Sequence, residues 1–156
     1  MKSESTREDG RSADRNAVDR LLAAIEYPER NLRTAGPFML RVDGKELLAE
    51  EYDGRIVLSR ELTDDVSLLP ALATYAAGRM LREDATLAYG RRAKVDGQDL
   101  RCSAFLWQDA PSDATARDML RLFETFMDSC DWWQARMDSL GGRDGGSLPE
   151  PMMIRP

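Results

Sequence analysis

The chain contains no histidine. Its absence removes the commonest general base and the commonest metal ligand, and with them every nucleophile dyad built on imidazole. Cysteine is scarce: Cys102 and Cys130 are the only two, without CxxC spacing, so reduced thiols are expected rather than a disulfide or a metal site. Positive charge is in deficit. With 22 basic against 28 acidic residues the net charge is -6, which argues against a protein whose main work is holding phosphate backbones. Arg79, Arg82, Arg91, Arg92, Lys94 and Arg101 could still make a local basic patch, which keeps nucleic-acid binding as a minor alternative. No apolar run approaches the roughly 20 residues of a membrane helix, so no membrane insertion is expected. The opening MKSESTREDGRSADR lacks the apolar core of a secretory signal, so a cytosolic location is expected. There is no P-loop, no GxGxxG after a strand and no GxSxG elbow.

What is present fits one domain in a chain of 156 residues. Residues 1–15 are polar, charged and without apolar period, and are expected to be disordered; the folded domain is expected over 16–140. Asn16 is a natural N-cap, and Val18, Leu21, Leu22 and Ile25 then recur at i, i+3, i+4, i+7 before Pro28 ends the first helix. From Phe38 to Leu62 the period becomes two, and Asp43-Gly44 and Asp53-Gly54 supply tight turns, which predicts a three-stranded antiparallel meander. Two more strands are expected, from Thr86 to Val95 and from Leu100 past Leu106, joined by an Asp96-Gly97 turn, with Phe105 and Trp107 on the face opposite Ala104 and Leu106. Pro111-Ser112-Asp113 reads as the entry to a last helix running to about Ser139, its stripe formed by Met119, Leu122, Phe123, Phe126, Met127, Cys130, Trp133 and Met137. The Gly/Pro-rich residues 141–156 are expected to be a flexible tail, in which Met152, Met153 and Ile154 are candidate docking residues. The resulting order is α-βββ-α-ββ-α, an α+β fold with helices packed on one face of an antiparallel sheet.

The organising segment is SLLPALATYAAGRMLRED, Ser67 to Asp84, with Ser67 as expected N-cap and Pro70 in the first turn. Little of this helix is polar, so both of its faces are expected to be buried. One face would cover the chain's own sheet. The other, with Leu69, Ala73, Ala76, Ala77 and Met80, is small enough for a second backbone to approach, which predicts an isologous homodimer through this helix.

Carboxylates cluster at Glu50-Glu51, at Asp64-Asp65 and at Glu124, Asp128 and Asp131. Such pairs can run a hydrolysis or hold a hard cation, but solvated helix faces and caps account for them in a chain this acidic. Neighbouring Asp128 and Asp131 are expected to raise the Cys130 pKa rather than activate it. No catalytic residue, metal or cofactor is assigned, and the chain is read as a non-enzyme.

DRLLAAI in the first helix, FMLRVDGKELLAEEYDGRIVLSREL in the meander, LLPALATYAAGRM in the central helix, ATLAYG opening the fourth strand and MLRLFETFMDSCDWWQARM at the end together resemble the class I chaperones of type III secretion, the CesT-like family. The likeness spans about Ala17 to Ser139. It departs from the family around Gly90 to Gln98, with its Arg-Arg-Ala-Lys, and in the Gly-rich tail. The resemblance implies a cytoplasmic bacterial homodimer that holds the N-terminal segment of secreted effectors extended and delivers it to the export apparatus, with the secretion ATPase as a further partner and no ATP needed for holding. Client contacts are then expected at Val18, Leu21, Leu22 and Ile25 of the first helix and at Met39, Leu47, Leu48, Val57, Phe105 and Trp107 of the strands. Each of these has a core reading beside it. The alternatives are a dimeric adaptor of similar fold that binds folded partners, and a small histidine-free enzyme.

Overall fold

The computed structural model describes residues 16–28, 36–79, 84–91 and 102–141. Over these the order is α1 (Ala17–Ala24), β1 (Phe38–Val42), β2 (Lys45–Tyr52), β3 (Arg55–Thr63), α2 (Leu69–Arg79), β4 (Thr86–Gly90), β5 (Ser103–Pro111) and α3 (Ala116–Gly141). The five strands form one antiparallel sheet in the order β1-β2-β3-β5-β4, with helices on one side. The α+β architecture and its element order are those expected from the sequence.

Both hairpins turn on the residues predicted for them. Val42 pairs with Lys45 and Tyr52 with Arg55, and Asp43, Gly44, Asp53 and Gly54 all have φ between 49 and 74°. Two consecutive positive φ values match the right-handed twist of the strands, and Asp-Gly meets that demand at low steric cost. Asn16 caps α1 by accepting the Asp19 N–H at 3.0 Å.

The sheet has an inner face and an outer face. Leu40, Leu47, Ala49, Ile56, Leu58, Ala104 and Leu106 join Val18, Leu21 and Leu22 of α1 and Met119, Phe126, Cys130 and Trp133 of α3 in one buried core. Polar links of the same strand parity pin the helices down. Lys45 Nζ meets Asp131 at 2.6 Å, Arg60 donates to Gln134 Oε1 at 2.6 Å and to the Cys130 carbonyl, and the Ala17 N–H donates to Glu51 at 2.9 Å.

Several boundaries differ from the expectation. Asp65, not Ser67, caps the segment ahead of α2: it accepts both the N–H and the hydroxyl of Ser67 and starts a single 3-10 turn, Val66–Leu68, before the helix. Those two hydrogen bonds hold the Asp65 carboxyl below the usual carboxylate value. Pro111 ends β5 rather than opening the last helix; α3 begins after Thr115, whose hydroxyl accepts the Asp118 N–H at 3.2 Å. Of the central helix, the side expected to cover the chain's own fold holds buried Leu72 and half-buried Leu68, Tyr75 and Arg79, while on the side expected to meet a second copy Ala73, Ala77 and Gly78 are exposed within one chain. Besides Leu72 in the core, α2 meets α3 through Tyr75 and Arg79 on Trp132. Residues 1–15, Met80, the Asp96-Gly97 turn, the Arg-Arg-Ala-Lys stretch beyond Arg91 and residues 142–156 lie outside the described residues.

Candidate functional site

The strand period divides the expected contact residues into two groups. Leu47 lies on the inner face and is fully buried, as are Val18, Leu21 and Leu22, so these four are core residues and not an accessible groove. Their helix has one apolar face, and the sheet and α3 already cover it.

Met39, Leu48, Val57, Phe105 and Trp107 have the opposite parity and lie on the outer face, separate from the buried core. Register places Met39, Leu48, Ser59, Trp107 and Thr86 in one row across all five strands. Leu48 and Ser59 in the middle of the row are buried, whereas Met39 and Trp107 are half-buried. Phe105 sits one row away opposite Ala88, and Val57 one row away on the other side, opposite Asp109. Tyr52, 72% exposed, extends the same face. Of this band Met39, Val57, Phe105 and Trp107 are partly accessible, whereas Leu48 and Ser59 are not.

The second feature is the outer edge of β1. A recess of about 630 Å³ is lined there by Ile25, Tyr27, Met39, Arg41, Val42 and Phe123. Met39 and Arg41 belong to the outer face, whereas Val42 and Phe38 pack towards the core, so the recess straddles the strand edge. Tyr27 is positioned by its ring edge on Phe38, at 5.8 Å between centroids, and by accepting the Arg41 N–H at 3.1 Å. That bond uses one backbone donor of the edge strand and ties the end of α1 to β1. Tyr27, Val42 and Phe123 are not among the contact residues expected from the sequence. A Tyr just before Pro28 gave no periodic signal, and Phe123 counted as one more residue of the α3 stripe.

The third feature is the exposed side of α2. Ala73 and Ala77 are open to solvent, Leu69 and Ala76 are half-buried against the core, and Met80 is outside the described residues. A recess of about 400 Å³ between Ala73, Ala76, Ala77, Leu87 and Trp133 continues this surface towards β4.

One carboxylate of each cluster noted in the sequence has a structural partner. Glu51 holds the start of α1, Asp65 caps, and Asp131 pairs with Lys45. Burial pushes the Cys130 thiol up to about 11, with the Arg60 guanidinium opposing, and Asp131 makes the smallest contribution. The expected rise is present, but its main cause is desolvation and not the flanking carboxylates. Among the described residues no group of three acidic or thiol side chains is placed to hold a metal ion. Among them also, no helix is long and apolar enough to cross a membrane. The chain matches no protein-family model and shows no significant similarity to a curated protein.

Proposed function

We propose that the chain is a type III secretion chaperone: a bacterial cytoplasmic homodimer that binds the N-terminal segment of one or more effectors in extended form, keeps it soluble and hands it to the export apparatus, with the secretion ATPase as a further partner. The observation that carries this reading is the edge of β1. An extended client needs a free strand edge for its backbone and pockets on both sides for alternating side chains. The recess at Ile25, Tyr27, Met39 and Phe123 straddles the β1 edge, which pairs with no strand among the described residues and has one donor, the Arg41 N–H, taken by Tyr27; the band through Met39, Leu48 and Trp107 starts from it. A long contact of this kind offsets the ordering entropy of a disordered client. Homodimerisation is supported by α2, whose exposed Ala73, Ala77 and Gly78 permit close approach of a second helix.

The test is binding of N-terminal segments of secreted effectors from the same organism to the full chain and to Met39→Asp and Trp107→Asp variants. Loss of binding by at least about tenfold with the circular dichroism spectrum unchanged is expected, because a charge is placed in a desolvated contact. Unchanged binding by both folded variants would contradict the reading.

One observation favours a second reading, an adaptor for folded partners. The outer face with Val57, Phe105, Trp107 and exposed Tyr52 is a sheet surface rather than a groove, and a flat surface suits a folded domain. Retained binding of a folded partner by a chain that ignores every effector segment would select that alternative.

A further inference from the structure

The last turn of α2 carries part of the surface assigned to self-association, and it is weakly built. Ala77 and Gly78 are exposed there, and nothing lies within 4 Å of where a Cβ of Gly78 would stand. Space within the chain therefore does not require a glycine at this position, and glycine is a poor helix former. Leu72, the buried residue of α2, lies two turns before the helix end.

A hold on this turn comes from α3. Tyr75 and Arg79 follow Leu72 at i+3 and i+7, on one stripe, and both reach Trp132. Tyr75 meets the indole edge-on, at 6.3 Å between ring centroids, and the Arg79 guanidinium stacks over it at 3.9 Å. Trp132 in turn meets buried Trp133 edge-on at 5.2 Å, which anchors the contact in the core. Arg136, one turn further along α3, also stacks on Trp132, at 4.3 Å, and fixes the ring from its own helix. One half-buried indole thus carries a cation from each of two helices, each attracted by the ring's quadrupole. Ala77, two residues from both Tyr75 and Arg79, lies on the opposite side of the same turn.

We infer that Trp132 is a positioning residue for self-association: by seating Tyr75 and Arg79 it fixes the last turn of α2, and with it the Ala77–Gly78 surface on which a second copy of the chain docks. This rests on the homodimer reading and names a residue behind the contact on which the contact depends.

The test is made on the full chain with Trp132→Leu, Trp132→Phe, Arg79→Met and the double variant Trp132→Leu with Arg79→Met. Each is read by amide hydrogen exchange of α2 against the sheet, and by the dimer dissociation constant from sedimentation. Trp132→Leu is expected to speed exchange over Tyr75–Arg79 and to weaken the dimer, each by about tenfold, with exchange in the sheet unchanged. Trp132→Phe, which keeps a ring face, should recover most of both. The double variant should be little worse than Trp132→Leu alone, because the two side chains act through one contact. Unchanged exchange in α2, faster exchange throughout the sheet, full additivity in the double variant, or a dimer of parent strength in Trp132→Leu would each overturn the inference while the homodimer reading stands. A parent chain that stays monomeric at every concentration would overturn that reading and the inference with it.

Discussion

At the scale of single residues, burial separates side chains that look alike in sequence. Cys102 is exposed, and Cys130, on the inner side of α3, is buried with its thiol pushed up to about 11. A thiol reagent at pH 8 is therefore expected to titrate Cys102 rapidly and Cys130 only on unfolding; two fast thiols would contradict this placement. The sign of the pH effect follows from the raised value. The buried neutral thiol supports folding fully below its ordinary pKa of 9.0, and that support is lost as pH rises to about 11. Urea titrations of the parent chain and Cys130→Ala should show a steeper loss of stability across this window in the parent. Leu47 and Leu48 make the same point about legibility. Period two says that they face opposite sides, but which side the helices cover is decided by α1 and α3, far away in the chain. The expected contact residues accordingly split into core (Val18, Leu21, Leu22, Leu47) and outer face (Met39, Leu48, Val57, Phe105, Trp107).

At the scale of elements, the meander rests on its two-residue turns. Gly54 has φ +72 and nothing within 4 Å of where a Cβ would stand, so Gly54→Ala meets backbone strain without a clash. A loss of about 1 kcal/mol is expected in chemical denaturation. No loss would mean that this turn relaxes to another type. The two hairpins were legible because Asp-Gly interrupts an alternating pattern, and α1 because Asn16 precedes a clear helical period. Boundaries near Pro111 and Ser67 were not. Proline fits a strand end as well as a helix start, and Asp65 and Ser67 are both good caps, so the choice between them is made by the 3-10 turn that joins β3 to α2. The position of α2 was legible only in part, because its apolar composition gave no single stripe and the contact that sets it, Tyr75 and Arg79 on Trp132, spans more than fifty residues. For α1 the structure changes the expected outcome of a substitution. Leu22 is fully buried, so Leu22→Asp should unfold the domain rather than remove client binding selectively, as read by loss of the cooperative thermal transition.

At the scale of the whole molecule, the proposal assigns partners to three surfaces of the described residues: the β1 edge with its recess, the outer sheet face, and the exposed side of α2. The first two share Met39, but the α2 side shares no residue with either, which makes association of copies and binding of clients separable. Ala77→Arg should disturb self-association while leaving the fold of the single chain intact, since Ala77 is exposed in it; sedimentation would show a smaller species, and an unchanged dimer would place the contact elsewhere. Trp107→Asp should leave that dimer unaffected and weaken the client. The most direct measurement of the central claim is co-expression with the N-terminal segment of a secreted effector from the same organism, followed by the absolute mass of the purified complex by light scattering. The account predicts two copies of this chain with one client segment. A single chain that retains no effector segment would contradict it.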